Sequence, residues 1–222
     1  MLSAEATASL IEWTPVSSRI VLARLRSRAR NVQIVQCYAP TNDADGDVKT
    51  DFYEQLQATL EQRTKRDILI VMGDFNAQIG SDNVGREHVM GREGLGQINE
   101  LFADFCSFNN IVIGGSLFRH KRIHKATWIS PDHHTENQID HITICKEFRR
   151  SLQDKRVRRG ADAASDHHLV VGRLKLKLKR FFKTSPKPSH RYNTALLKDA
   201  TTRDTFTLEL SNRFQALHEH PK

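Results

Sequence analysis

The sequence has few cysteines, no long apolar run and no secretory start. Three cysteines, Cys37, Cys106 and Cys145, occur among 222 residues. They form no CxxC pair, and their odd number argues against a disulfide framework. No apolar stretch approaches the roughly 18 residues that span a bilayer, and MLSAEATASLIEW lacks the basic beginning and long apolar segment of a signal peptide. We therefore expect an intracellular protein without a membrane partner.

Hydrophobic residues are also scarce, at 38%, whereas positive charge is in excess, with a formal net charge of +8. This charge favours a polyanionic partner such as nucleic acid or an anionic membrane, although a generically basic protein is the plain alternative. The last forty residues are rich in Lys, Thr and Ser. We expect a folded domain over 1–179 and a basic linker with a helical tail over 180–222.

Hydrophobic periodicity predicts a mixture of strands and helices. Alternating apolar and polar residues predict a hairpin of two strands over 18–26 and 31–38, and an unbroken apolar run predicts a buried strand over 67–74. The other expected strands are 110–115, 126–130, 138–144 and 166–179, and the expected helices are 47–63, 98–108 and a final one within 202–220. In the last strand Leu174, Leu176 and Leu178 are expected to face inward. This order predicts an α+β fold built from strand-rich layers covered by helices.

The first chemical signal directly follows the buried strand. Asp74 offers a carboxylate and Asn76 an amide that can donate to a phosphate oxygen, and the end of such a strand holds both rigidly. A simple turn explains the same residues about equally well, since Gly, Asp and Asn are common turn residues.

Three further signals lie at the ends of other predicted strands. Asp166 and His167 precede an apolar strand, where a carboxylate can bind a cation and an imidazole can bind phosphate. Asp140 is placed where a buried carboxylate needs a partner, and a histidine from elsewhere in the fold is the natural candidate. Tyr38 ends the second strand of the hairpin. Each residue alone has a bland explanation: an incidental His-rich step, a solvated strand-edge Asp and a core-edge tyrosine. Together they are the parts of metal-assisted phosphate hydrolysis.

At this point a family resemblance can be stated. The motifs CYAP (37–40), GDFN (73–76), QIDHI (138–142) and SDHH (165–168), in this order, resemble the endonuclease/exonuclease/phosphatase superfamily. The longer segments around them are similar to the endonuclease domain of non-LTR (LINE-type) retrotransposons and to craniofacial development protein 2-like proteins. The resemblance implies a DNase I-like four-layer α/β/β/α sandwich. It also implies a DNA endonuclease that uses Mg²⁺, with Mn²⁺ as an alternative, and a nuclear location.

The resemblance also implies a role for each motif residue. Asp74 orients or deprotonates the attacking water, and Asn76 holds a phosphate oxygen. His167 contacts the scissile phosphate and is oriented by Asp140. Tyr38 hydrogen-bonds the phosphate, and Asp166 helps to bind the metal. The expected products carry 5′-phosphate and 3′-hydroxyl ends.

The sequence departs from the superfamily pattern at its beginning. The Asn and the principal metal-binding Glu of the superfamily precede the region that matches 10–38, and Glu5 and Glu12 do not sit in the matching motif. We therefore expect an N-terminally truncated domain. Two alternatives to an active nuclease stay open: a remnant that only binds nucleic acid, and a phosphatase of the same superfamily acting on a phosphoinositide or another phosphomonoester.

Overall fold

The computed structural model describes residues 2–160, 165–177 and 194–218 of the chain. Its helices are α1 (Ala4–Ser9), α2 (Gly46–Glu61), α3 (Glu100–Phe108) and α4 (Ala200–His218), and its strands are β1 (Leu10–Pro15), β2 (Ile20–Leu25), β3 (Val32–Tyr38), β4 (Ile68–Asp74), β5 (Ile111–Ile113), β6 (Trp128–Ile129), β7 (Glu136–Asn137), β8 (Asp140–Cys145), β9 (Leu152–Arg158) and β10 (Leu169–Leu174). Short 3-10 helices occupy Gly114–Ser116, Arg122–His124, Lys146–Ser151 and Thr194–Lys198. No helix in the described part of the chain is long and apolar enough to cross a membrane.

A six-stranded sheet in the order β1-β2-β3-β4-β8-β5 forms the centre of the fold. The pair β3–β4 is parallel, and every other neighbouring pair is antiparallel. Helix α2 makes the crossover between the two parallel strands, as such a connection requires. The predicted hairpin is confirmed, because β2 pairs antiparallel with β3 over its whole length.

The main core lies between this sheet and the helices α2 and α3. Helix α2 contributes Phe52, Leu56 and Leu60, which the sequence places four residues apart on one face, and α3 contributes Phe102. These side chains join Val35 and Val71 of the sheet in one buried cluster. The i, i+4 spacing of apolar residues therefore explains why α2 forms and which side of it is buried.

A second sheet of two strands, β9 and β10, packs against the opposite face of the large sheet. Ile142 of β8 contacts Gly172 of β10, where an added Cβ would lie 3.0 Å from the Ile142 Cδ1 atom. The two sheets enclose an apolar cavity of about 340 Å³ lined in part by Ile70, Met72 and Val170. The α+β class and the DNase I-like layering of helices on stacked sheets are thus confirmed.

Some local expectations were wrong. Residues 147–160, a basic stretch for which no element was predicted, contain most of a 3-10 helix and all of β9. Strand β10 ends at Leu174, which is 36% exposed, and Leu176 is partly buried beyond the end of the strand. Leu178 lies outside the described residues. In α3, Leu101 is 46% exposed although the apolar spacing of Ile98, Leu101, Phe102 and Phe105 predicts that all four share the buried side.

The chain divides into two compact units, Met1–Leu178 and Lys179–Lys222. In the described part of the second unit, the 3-10 helix Thr194–Lys198 precedes α4, and Asp199 caps the beginning of α4 by accepting a hydrogen bond from the backbone N–H of Thr202 at 2.9 Å. The helix predicted within 202–220 is therefore present. The predicted linker between the units falls on residues outside the described part of the chain.

Candidate active site

The register of the large sheet places three of the predicted site residues in one row. Tyr38 of β3 is the partner of Asp74 in the parallel β3–β4 pair, and Asp74 is the partner of Asp140 in the antiparallel β4–β8 pair. Residues directly opposite one another on neighbouring strands project from the same face of a sheet. A phenol and two carboxylates thus meet where β3 and β4 end and β8 begins.

A sharp turn after β4 fixes the Asp74 carboxylate. Gly73 has a φ of +145°, and a Cβ on it would lie 1.8 Å from the backbone oxygen of Cys37, so no larger residue fits there. Asn76 adopts a φ of +48°, its backbone N–H donates to Asp74 Oδ1 at 2.8 Å, and its Nδ2 donates to the Ala39 oxygen at 2.9 Å. The turn interpretation and the site interpretation of this motif are therefore compatible, because the turn itself orients the carboxylate.

His167 lies between the two carboxylates. Its Nδ1 is 3.0 Å from Asp140 Oδ2, and its Nε2 is 4.0 Å from Asp74 Oδ2. The ring, with its Nδ1–H donating to Asp140, turns Nε2 toward Asp74. The histidine partner that the sequence requires for Asp140 is thus His167.

The environment of Asp74 alters its acidity. Burial is the largest cause and raises the pKa of the Asp74 carboxyl, while the hydrogen bond from the Asn76 backbone N–H opposes the rise. The nearby Asp140 carboxylate raises the pKa further, and His167 lowers it. A carboxylate whose pKa is raised in this way accepts a proton more readily than an exposed one.

Asp166 lies on the exposed turn before β10. Its Oδ2 accepts a hydrogen bond of 2.7 Å from the indole Nε1 of Trp128, and this bond is the largest cause that lowers the pKa of the Asp166 carboxyl. Among the described residues, the side chains whose ligand atoms lie within 4.8 Å of one another are Asp74, Asp140 and His167. Asp166 is therefore near the group but outside its closest set.

The other histidine of the QIDHI motif does not belong to the site. His141 points to the helix side of the sheet, where its ring stacks on Phe102 with centroids 5.0 Å apart and its Nε2 is 2.7 Å from the Ala77 oxygen. Burial lowers the pKa of His141 to about 3. A neutral, fully buried imidazole serves the core rather than the chemistry.

Comparisons with known proteins agree with this geometry. No protein-family model matches the chain. The chain is 38% identical over 172 residues to craniofacial development protein 2 of Tragulus javanicus and 36% identical over 191 residues to that of Bos taurus. These alignments cover 76% and 85% of this chain but only 30% and 31% of the two relatives, so the chain spans about a third of their length.

Solved structures share the fold. The endonuclease domain of TRAS1, a telomere-specific non-LTR retrotransposon, superposes with a TM-score of 0.52 and 18% identity over 76% of this chain and 68% of its own. The 3′ phosphatase NExo from Neisseria, bound to a product DNA hairpin, superposes with a TM-score of 0.54 and 17% identity over 75% of this chain and 71% of its own. These likenesses show that the chain shares its fold with the TRAS1 endonuclease domain and with NExo, and that its sequence is similar to craniofacial development protein 2.

Within this fold, the structure brings together most of the residues that the motifs predict. Asp74, Asp140 and His167 converge within hydrogen-bonding or ligand range, and Tyr38, which is 52% exposed, lies in register with Asp74. The Nδ2 group of Asn76 donates its hydrogen bond to the Ala39 backbone oxygen and so holds the turn. The catalytic roles of these residues, and the metal role of Asp166, stay predictions.

Arg19 is a neighbour of the site that the sequence analysis missed. Its guanidinium lies 5.3 Å from the centroid of the Tyr38 ring, and its Nη1 donates to the backbone carbonyl oxygen of Tyr38 at 3.3 Å. The backbone oxygen of Arg19 accepts a hydrogen bond from the Tyr38 backbone N–H. The predicted hairpin contains the signal that finds it, because pairing the two strands to their ends sets Arg19 beside Tyr38.

Proposed function

We propose that this chain carries the hydrolytic site of a magnesium-dependent DNA endonuclease of the retrotransposon type. The observation that carries the proposal is the position of the His167 imidazole. Its Nδ1 lies 3.0 Å from Asp140 and its Nε2 lies 4.0 Å from Asp74, where β3 and β4 end and β8 begins. A partly buried carboxylate, an oriented imidazole and a phenol at the same end of the sheet match the requirements of phosphodiester hydrolysis.

Asp74 is the group suited to take a proton from the attacking water. Its pKa is raised chiefly by burial, and its orientation is fixed by the Asn76 backbone N–H. A general base works best when its pKa approaches the working pH. Asp74 therefore combines a fixed position with an acidity shifted in the useful direction.

His167 is the group suited to bind the scissile phosphate. The hydrogen bond to Asp140 fixes the ring, so that Nε2 faces the position where negative charge develops on the phosphate. Tyr38 and Arg19, at the neighbouring end of β3, add a phenol and a guanidinium on one flank. Both side chains can donate hydrogen bonds to phosphate oxygens.

The donor set fits a hard divalent cation. The carboxylates of Asp74 and Asp140 converge, and their mutual repulsion raises the pKa of Asp74, so a cation between or beside them relieves an existing cost. Mg²⁺ commonly binds through one or two carboxylates plus substrate phosphate. When bound, such an ion supplies electrostatic stabilisation to the phosphate and the leaving oxygen. Asp166 would hold it, with the carboxylates of Asp74 and Asp140 beside it.

The distribution of charge favours DNA as the substrate, although less strongly than the basic segment 149–159 suggests. Within that segment Arg156 pairs with Asp154, Arg159 pairs with Glu136, and Lys155 is buried. Arg149, Arg150 and Arg158 are left exposed, as are Lys175 and Lys177 after β10. Unpaired exposed cations provide the salt-dependent phosphate contacts of non-specific DNA binding.

Nicking of supercoiled plasmid in Mg²⁺ and in EDTA tests the proposal. We expect nicking that requires Mg²⁺ and falls by at least about a hundredfold in Asp74→Ala and His167→Ala, the usual size of a lost acid–base or oriented phosphate contact. His88→Ala is the matched control, because His88 contacts Ser107 rather than a carboxylate. Equal nicking by His167→Ala and His88→Ala would contradict the proposal.

Two other outcomes identify the alternatives. Salt-sensitive DNA binding by the folded chain, with no nicking in Mg²⁺, identifies a protein that only binds nucleic acid. Release of inorganic phosphate from a 3′-phosphorylated oligonucleotide, without nicking, identifies a phosphatase, the activity named for the NExo structure that shares this fold.

A further inference from the structure

The strongest side-chain contact of the exposed Asp166 carboxylate is with Trp128. Its Oδ2 lies 2.7 Å from Trp128 Nε1, within the range of a charge-assisted hydrogen bond. The indole N–H is a donor only, and it occupies one lone pair of Oδ2. The contact therefore fixes the direction in which the carboxylate points.

The backbone around Trp128 makes this donor rigid. Trp128 forms a β-bridge with His167, and the Ile129 N–H donates to the Asp166 oxygen at 3.2 Å. One residue earlier, the Thr127 oxygen accepts the His168 N–H at 2.7 Å. Backbone hydrogen bonds from Thr127 and β6 therefore fix the segment that carries Asp166 and His167.

The same strand is tied to the Asp140 side of the site. The Thr127 hydroxyl, fully buried, accepts the backbone N–H groups of Ile139 and Asp140 at 3.0 and 3.1 Å. Thus β6 connects the beginning of β8 to the turn before β10. The position of the indole is set by both parts of the site rather than by the exposed turn alone.

From these contacts we infer that Trp128 is a positioning residue that fixes the Asp166 carboxylate for binding a divalent cation. The inference rests on the proposed function, because it assumes that the site takes such a cation. Hydrogen-bond partners of this kind orient ligating carboxylates, and their loss typically weakens metal binding by about 10–100-fold. Removal of the N–H alone should therefore weaken cation binding without removing a ligand.

The chain provides a matched control and an internal reporter. Its two tryptophans are Trp128 and Trp13, and Trp13 lies on the edge strand β1, 62% exposed. Trp13→Phe makes the same chemical change outside the site. It also leaves Trp128 as the sole tryptophan, so that indole emission reports on the Asp166 contact.

Two measurements on the full chain test the inference without reference to activity. Mn²⁺ binding, followed by the electron paramagnetic resonance signal of the free ion, should weaken about tenfold in Trp128→Phe and stay unchanged in Trp13→Phe. In Trp13→Phe, Mg²⁺ should change the Trp128 emission saturably. The change should vanish when Asp166→Asn is added.

The outcomes separate this inference from the proposed function. Equal Mn²⁺ affinity in Trp128→Phe and Trp13→Phe would overturn the positioning role, and so would a Mg²⁺-induced emission change that survives Asp166→Asn. If Trp128→Phe binds Mn²⁺ about tenfold more weakly but the wild-type chain does not nick plasmid, the positioning role is supported and the proposed endonuclease function fails. The absence of saturable Mn²⁺ binding to the wild-type chain would remove both the metal site and the inference. The emission measurement keeps Trp128 intact, so it holds even if Trp128→Phe folds poorly.

Discussion

Lys155 occupies a position in β9 where the sheet requires an apolar residue. Between the inward-facing Leu152 and Val157, it is only 2% exposed, and its Nζ has no hydrogen-bond partner. Burial lowers the pKa of Lys155 from 10.5 to about 8, and attraction to the Asp140 carboxylate opposes this only in part. The ammonium is therefore a cost to the folded state at neutral pH.

The cost has a defined size and sign. Because the folded protein releases this proton more readily than the unfolded chain, it binds fewer protons between pH 8 and pH 10.5, and its stability rises with pH over that window. Below pH 8 the full penalty is present. At about 1.4 kcal/mol per pH unit, it amounts to about 3 kcal/mol.

Lys155→Met removes the charge and keeps the volume of the side chain. We expect the free energy of unfolding at pH 7 to rise by about 2–3 kcal/mol, because the net penalty of the buried ammonium is removed. Urea unfolding followed by circular dichroism at pH 7 and pH 10 measures this. The wild-type chain should gain stability between the two pH values relative to the variant.

Lys175→Met is the control, since Lys175 is an exposed lysine just beyond β10. It should leave the free energy of unfolding within about 0.5 kcal/mol of the wild-type value. If Lys155→Met is no more stable than Lys175→Met at pH 7, or is less stable, then the Lys155 ammonium has a compensating partner and the reasoning fails.

Three further predictions follow from contacts in and beside the site. Gly73→Ala places a Cβ 1.8 Å from the Cys37 oxygen, so it should cost about 3 kcal/mol or more of stability; an unchanged urea midpoint would contradict the close approach. Burial lowers the pKa of His141 to about 3, so the unfolded chain gains its proton first and stability should fall as pH drops from about 6.5 toward 3; His141→Gln should flatten this fall in an acid titration. Arg19→Ala should reduce plasmid nicking about tenfold at an unchanged unfolding midpoint, because it removes one charged phosphate contact; full activity would exclude Arg19 from the site.

The sequence predicts those helices and strands whose own residues show a clear hydrophobic pattern. The hairpin β2–β3, the buried strand β4 and helix α2 follow from alternation, an apolar run and i, i+4 spacing. Strand β9 was missed because LQDKRVR contains four charged residues. Its inward-facing side is recognisable only once Lys155 is known to be buried, and that depends on the packing of β9 in the folded protein.

The site divides in the same way between local and tertiary information. The need of Asp140 for a histidine partner could be inferred because a buried carboxylate is costly alone. The row of Tyr38, Asp74 and Asp140 could not, since the β3–β4 and β4–β8 registers depend on long-range pairing. Trp128 was missed because, in sequence, it is an ordinary strand aromatic, and its role depends on the arrival of Asp166 from 38 residues away.

Their surroundings shift the pKa values of the Asp74 and Asp166 carboxyls in opposite directions. Burial raises the pKa of Asp74, whereas the indole hydrogen bond lowers that of the exposed Asp166. Environments that push the pKa values of two like groups apart assign them different tasks. In a hydrolytic site, the group with the raised pKa is fitted to accept a proton, and the group with the lowered pKa stays ionised to attract a cation.

If Trp128 maintains this separation, then Trp128→Phe should raise the Mg²⁺ concentration that half-saturates nicking. The acid limb of the pH–rate profile, which depends on Asp74, should stay in place. A shift of that limb in Trp128→Phe would mean that the two carboxylates share one task.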